Sequence, residues 1–316
     1  MVRLLKSSDK NACLNLWNET MPDRFQIDSA LLDLNLFENS LAVPEGAWAY
    51  DIGVALGGFA FLKRAPEGLY PDVPTHQLHL EALVGRSEAA LDALLEAAIS
   101  KARKLGAIRL VYGQGLRHFW PGVPAGDVLI APALIRHGFV GGDLCVDLER
   151  DLEGYSIPAG VMERANPAAE FRICTREDIP ALEEFLKRAF PRRWWYDTMD
   201  KIRTEGDPSF VMTVFVDGKC EGFALTHDWN SKAPIGGAVW HVSMGDHWGS
   251  LGPIGVSEEV RGQGLGNAIL AFGLDTLRAK GVRQCIIDWT TLIEFYGIHG
   301  FLPTRRYTPY SLDLTV

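Results

Sequence analysis

Leu251-Gly252-Pro253-Ile254-Gly255-Val256-Ser257-Glu258-Glu259-Val260-Arg261-Gly262-Gln263-Gly264-Leu265-Gly266 is the stretch that decides the fold of this chain. Its first six residues are apolar and end on a β-branched valine, which predicts a short strand. From Leu265 onward, Leu265, Ile269, Phe272 and Thr276 recur with the period of an amphipathic helix. A strand is therefore expected to run into a helix through a loop carrying three glycines and one arginine. Glycine has no Cβ to block a close approach, so such a loop can turn its backbone N–H groups inward. The helix N-terminus adds partial positive charge, which favours an anion by ~0.3–1 kcal/mol. The stretch reads as a cradle for a phosphate or pyrophosphate.

Two common phosphate loops do not fit it. A dinucleotide fingerprint needs its third glycine where Asn267 stands, and a P-loop needs a lysine that this loop lacks. Val256 to Gly266 instead resembles the acyl-CoA loop of the GNAT N-acetyltransferase superfamily. In that family a strand ending in valine is followed, after about four residues, by Arg/Gln-x-x-Gly-x-Gly/Ala opening a helix. Ile286-Ile287-Asp288-Trp289, expected as a strand, and then Glu294-Phe295-Tyr296-Gly297-Ile298-His299-Gly300-Phe301 resemble the family's closing stretch, in which a tyrosine precedes a glycine-phenylalanine pair. The resemblance implies a mixed α/β fold with acetyl-CoA as donor and an amine of a small molecule or peptide as acceptor. Two other readings stay open at this level, a non-catalytic acyl-CoA binding or sensing protein and a nucleotide-dependent oxidoreductase using the glycine loop.

The resemblance also implies roles residue by residue. Arg261, Gly262, Gln263, Gly264, Leu265 and Gly266 would hold the CoA pyrophosphate, largely through backbone N–H groups, with a side-chain bond from Asn267. Ile254, Gly255 and Val256 would offer a strand edge to the pantetheine arm. Pro253 cannot donate a ladder hydrogen bond, which suits either a strand splaying from its neighbour or a simple strand start. Tyr296 occupies the position that protonates the departing thiolate, though as a residue type it also reads as a core aromatic beside Phe295. Trp289 stands where the family often has asparagine, leaving Thr290 or Thr291 to supply a hydrogen bond there. The general base is not singled out: Glu221, His227, Asp228, His241 and Asp288 all lie near expected strand ends, and a water chain is an alternative.

Composition narrows the class. The chain has 316 residues, 47% hydrophobic and 22% charged, which suits a soluble globular protein of two domains. The beginning lacks a signal-peptide core and no apolar run approaches a membrane span. Five cysteines without a C-x-x-C pair read as reduced, buried thiols, so a cytoplasmic protein is expected, and the histidines and cysteines show no metal-ligand spacing. A net charge of −9 argues against nucleic acid and favours cationic ligands such as amines. Monomer and homodimer both remain open. His241-Val242-Ser243-Met244-Gly245 misses a nucleophile elbow by its first glycine. Six of the nine tryptophans crowd the second half, readable as a larger core or as the aromatic walls of an acceptor pocket.

The two halves repeat. Val2-Arg3-Leu4-Leu5 through Asp9, Ala12 and Pro22 aligns without gaps onto Phe171-Arg172-Ile173-Cys174 through Asp178, Ala181 and Pro191. Gly58-Phe59-Ala60 matches Gly222-Phe223-Ala224, and His137-Gly138-Phe139 matches His299-Gly300-Phe301. Each half is expected to close on its own alternating strand, near Cys145–Leu148 and Tyr310–Leu314. The first half is three residues short where the glycine loop should lie, reading Val84-Gly85-Arg86-Ser87-Glu88. We therefore expect two GNAT-like domains in tandem: a degenerate one over 1–151, a linker over 152–168, and one with the acetyl-CoA site over 169–316.

Overall fold

The computed structural model describes residues 1–66, 68–69 and 76–315. The chain divides into two compact units, Met1–Val146 with Arg305–Val316, and Asp147–Thr304. The first unit runs β1 (Val2–Leu4), α1 (Lys10–Thr20), α2 (Ser29–Leu32), β2 (Ala42–Ile52), β3 (Ala55–Arg64), β4 (Gln77–Gly85), α3 (Glu88–Lys104), β5 (Arg109–Tyr112), β6 (Val123–Pro124), α4 (Ile130–Arg136) and β7 (Val140–Gly141). The chain then enters the second unit through β8 (Cys145–Asp151). It continues as β9 (Ala169–Ile173), α5 (Ile179–Ala189), α6 (Arg193–Glu205), β10 (Val211–Val216), β11 (Lys219–Asp228), β12 (Trp248–Val256), α7 (Leu265–Ala279), β13 (Gln284–Thr290) and α8 (Ile293–Gly297). The last two strands are β14 (Leu302–Thr308) and β15 (Tyr310–Asp313). This is the mixed α/β arrangement expected of each half. No helix among the described residues is long and apolar enough to cross a membrane.

The first sheet has the order β1-β2-β3-β4-β5-β15-β7, and the second unit's sheet contains the run β8-β13-β12-β11-β10-β9. The closing strands are thus exchanged relative to the expectation. β15 pairs antiparallel with β5 (Leu312↔Leu110) in the first unit, and β8 lies beside β13 in the second. Both strands alternate in the same way, so their residue pattern does not tell the two sheets apart. For the same reason the units do not follow a single cut at 152–168. That stretch belongs to the second unit, and the first unit takes in the C-terminal strand.

Local chemistry explains the second unit's helices. Before α5, Thr175 and Asp178 form a capping box, with Thr175 Oγ1 donating to Asp178 Oδ2 at 2.9 Å. Leu182, Phe185 and Leu186 of α5 are buried against Phe215, Phe223 and Leu225. In α7 the buried residues Leu265, Ile269, Leu270, Leu274 and Leu277 face β10, β11 and β12, each contributing ~1.5–3 kcal/mol through burial. The first turn of α7 is thereby fixed beside the end of β12.

Candidate functional site

The site begins where two parallel strands separate. β12 and β13 are paired at Trp248↔Gln284, Gly249↔Cys285 and Ser250↔Ile286, and no further. On its other side β12 stays bonded to β11 through Gly222↔Val256, Phe223↔Gly255 and Ala224↔Ile254. Between Ala224 and Thr226 the register shifts, because β12 spends an extra residue at Gly252-Pro253. A bulge of this kind bends a strand and re-aims the residues beyond it, and proline lacks the N–H that ladder pairing would need. Burial changes at the same point: Trp248 to Leu251 are buried, whereas Gly252 to Val256 are half-exposed. Ile254, Gly255 and Val256 therefore lie along a strand edge from which β13 has departed.

The glycine loop comes directly after this edge. Gly262 and Gly264 take φ of +78° and +76°, a conformation in which side chains are strained. At Gly264 there is also no room, since a Cβ would run into the backbone carbonyl of Arg164. Gly264 is the N-cap of α7 and supplies no side-chain cap. Among the described residues, no hydrogen bond uses the amides of residues 262–267 as donors. Six successive N–H groups thus remain available at the start of a fifteen-residue helix, where the helix dipole also favours an anion. Arg261 is exposed and pairs with Glu258 at 3.1 Å. Leu265 is buried, so it contributes only its backbone to this surface, and Gly266 and Asn267 are half-buried beside it.

A cluster of titratable and aromatic groups surrounds the fork. Asp288 lies on β13 just beyond the last paired residue, half-buried, with its Oδ1 3.6 Å from where a Cβ of Gly252 would stand. Burial raises its pKa above the usual carboxylate range and Asp197 adds to this, against the Gly237 amide and the Arg193 guanidinium. Arg193 Nε donates to Asp197 Oδ2 at 3.0 Å and sits 4.9 Å over the Trp289 ring. Trp289 holds a φ of +44°, and its backbone N–H donates to the buried Asp147 carboxylate at 3.0 Å. Strained backbone of this kind persists where surrounding contacts over-determine it. Tyr296 on α8 is buried between Phe295 and Phe301. Burial, with the nearby Asp288 charge, pushes its phenol above the usual range.

The other base candidates are placed differently. Glu221 receives Lys219 at 2.7 Å and Arg188 at 2.9 Å. Although burial works against it, Lys219, Ser257 and Arg188 hold its carboxyl below the usual range. Asp228 accepts from the Asn230 amide at 2.9 Å and from Lys280, which fixes a turn. His241 lies 3.1 Å from the Ala238 carbonyl and stacks on Trp248. His227 is buried within β11. Of the five, Asp288 stands at the fork. Arg193 and Asp197, its neighbours on α6, carried no sequence signal beyond a short basic run.

The first unit has the same separation of strands but fills it. β4 and β5 pair only as far as Leu80↔Tyr112, and β4 bulges at Glu81. Glu81 is fully buried there, accepts from the Gly115 amide and lies 3.6 Å from the buried Lys63 ammonium. Lys63 also donates to the Leu116 carbonyl at 2.7 Å. The α3 N-terminus is closed by Ser87, whose side chain accepts from the Ala90 amide.

Residues 174–301 match the model of the acetyltransferase (GNAT) family. Mycothiol acetyltransferase of Cellulomonas flavigena is 26% identical over 162 residues, covering 49% of this chain and 44% of that protein. Among solved structures, a GCN5-related glucosamine N-acetyltransferase region of a fungal multi-domain GH3 β-N-acetylglucosaminidase superposes over 99% of this chain. It has a TM-score of 0.87 and 20% identity, and the match spans 38% of that protein. A tandem GNAT protein from the clavulanic acid biosynthesis pathway superposes over 100% of this chain and 99% of its own, with a TM-score of 0.67 and 16% identity. The chain spans less than half the length of the first two. Residues 174–301 therefore form an acetyltransferase domain of the GNAT family, and the whole chain shares its fold with a tandem GNAT protein.

Proposed function

We propose that the second unit is an acetyl-CoA-dependent N-acetyltransferase that transfers an acetyl group to a primary amine by direct attack in a ternary complex. The observation that supports this best is the succession of two features along one stretch of chain: the strand edge Ile254–Val256 released from β13, and the unpaired amides of 262–267 that come after it. The amides suit a pyrophosphate, since hydrogen bonds to a charged group are worth ~1.5–3 kcal/mol each. The open edge suits the amide-bearing pantetheine arm, which can pair with a strand as a peptide does. Acetyl-CoA supplies the acyl group as a thioester already open to attack.

The chain's own residues do the rest. Asp288 offers a carboxylate at the fork to a cationic amine, while Arg193 holds Asp197 and covers the Trp289 ring beside it. Asp288 takes the proton that the ammonium must lose, and its raised pKa brings it nearer the pH at which proton transfer is efficient. A backbone N–H near Val256 meets the oxyanion, and holding both reactants at the fork supplies rate by proximity. Tyr296 keeps a proton on its hydroxyl for the departing thiolate. The five cysteines are buried and free, which suits a reducing compartment, the cytoplasm in this reading.

The glucosamine N-acetyltransferase region makes glucosamine the first amine to assay, alongside other amino sugars, aliphatic diamines and peptide N-termini. Release of free thiol from acetyl-CoA should depend on one of these amines. If CoA binds and no amine releases thiol, the reading of a non-catalytic acyl-CoA binding protein takes its place.

A further inference from the structure

Residues 155–166, which look like a connector in the sequence, touch the glycine loop at two points and reach the start of α7 through His299 at a third. We propose that they form a strap that sets the loop's geometry from behind, making Asn166, Tyr155 and His299 positioning residues for CoA; this rests on the acetyl-CoA reading above. The strap is tied at both ends within the second unit. The Leu152 amide donates to the Arg283 carbonyl at 2.6 Å, and the Ala169 amide at the start of β9 donates to the Asn166 carbonyl at 2.9 Å. Tyr155 and Val161 anchor it by burial.

The first contact fixes a peptide plane. The Asn166 amide donates to the Gln263 carbonyl at 3.0 Å, and Asn166 Nδ2 donates to Gln263 Oε1 at 2.6 Å. In a trans peptide the carbonyl and the following N–H point in opposite directions. Drawing the Gln263 carbonyl toward the strap therefore turns the Gly264 N–H away from it, to the side where an anion would lie. The second contact is steric: the Arg164 carbonyl occupies the space that any side chain at position 264 would need.

The third contact runs through a histidine. Tyr155 Oη lies 3.0 Å from His299 Nδ1, and His299 Nε2 lies 3.3 Å from Asn267 Oδ1. Burial, with Arg150 nearby, lowers the His299 pKa to about 4, so the ring is neutral and carries one N–H. Asn267 Oδ1 can only accept, which places that N–H on Nε2 and leaves Nδ1 to accept from the Tyr155 hydroxyl. With its carbonyl oxygen engaged, Asn267 has its NH₂ group left to face the same anion as the backbone amides. The order Tyr155, His299, Asn267 is thus a fixed donor chain directed at the phosphate loop.

The test uses the full chain and two donors, acetyl-CoA and S-acetylpantetheine, which lacks the pyrophosphate. Asn166→Ala and Tyr155→Phe should each raise the CoA Kd and the acetyl-CoA KM about five- to tenfold, as expected for one lost hydrogen bond. Turnover at saturating acetyl-CoA should stay within about twofold, and kcat/KM with S-acetylpantetheine should not move. Tyr155→Phe removes a single oxygen and Asn166 is half-buried, so the two variants guard each other against a folding failure. Equal losses with both donors, or none with either, overturn the strap while leaving the acetyltransferase reading intact. Wild-type protein that neither binds CoA nor releases thiol overturns that reading, and the strap with it.

Discussion

Asp288 and Tyr296 are shifted in the same direction by the same cause, burial, with opposite consequences for what each can do. A raised carboxyl pKa yields a stronger base, whereas a raised phenol pKa yields a group that holds its proton and can only donate it. Tyr296→Phe should therefore lower kcat by roughly ten- to a hundredfold, flatten the high-pH limb of the rate profile and leave the CoA Kd near wild type. Unchanged turnover would return Tyr296 to a packing role between Phe295 and Phe301. Asp288 accepts a proton only above its pKa, so activity should fall as pH drops through that raised value. Asp288→Asn should cost ~10²–10⁴ in kcat and abolish the acid limb; pH–rate profiles of both proteins decide this. Tyr296 is singled out in the sequence by a motif that resembles a known one. Asp288 could not be told from Glu221, His227, Asp228 or His241 by type, and what distinguishes it is position at the fork and the absence of a cationic clamp like that of Lys219 and Arg188 on Glu221.

At the scale of the element, the glycine loop should fail in two distinct ways. Gly264→Val places a branched side chain at a φ of +76° and against the Arg164 carbonyl, so the loop must rebuild. CoA binding should be nearly lost, equally at low and high salt. Arg261 is exposed and shared with Glu258, so Arg261→Ala should weaken CoA by at most ~1.5–3 kcal/mol, a deficit that shrinks as salt screens the charge. Titrating CoA into both variants at two salt concentrations separates the cases, and small equal effects would mean that the loop is only a turn. The histidine behind the loop adds a stability prediction. His299 has a folded pKa of about 4, below its usual 6.5. Its contribution is therefore full above pH 6.5 and is lost as pH falls toward 4, because unfolding then takes up a proton. His299→Gln should lessen the decline in Tm over that window. The strand, loop and helix were legible because glycine, valine and helical period carry their own geometry. The strap was not, because its Gly-Pro-Ser composition reads as a connector and its partners lie 97 and 144 residues away in the chain.

At the scale of the molecule, duplication was legible and the exchange of closing strands was not. The gapless match from Val2 to Pro22 onto Phe171 to Pro191 reports a repeated βα unit directly. Which sheet a strand such as β8 or β15 joins depends on pairing partners that period-two alternation does not encode. The same duplication sets up the sharpest contrast in the chain, since in both units a pair of parallel strands separates next to a bulge. In the second unit Gly252 and Pro253 occupy the bulge and leave β12 half-exposed beyond it. In the first, Glu81 turns into the gap and is met there by Lys63 and the Gly115 amide, while Leu116, Phe119 and Trp120 are buried nearby. Opening that gap for a pantetheine arm would separate a buried carboxylate from its cation, which costs several kcal/mol. At the α3 N-terminus, the Ser87 side chain already takes the Ala90 amide that a phosphate would need. Two independent obstacles, one at each end of where the ligand would lie, lead to a single prediction: calorimetric titration should give one CoA per chain. Gly264→Val should abolish that one site without revealing a weaker one, and Glu81→Gln should leave affinity and stoichiometry unchanged. A second equivalent of CoA, surviving Gly264→Val, would mean that the first unit opens in solution and that its buried ion pair is a latch rather than a filling.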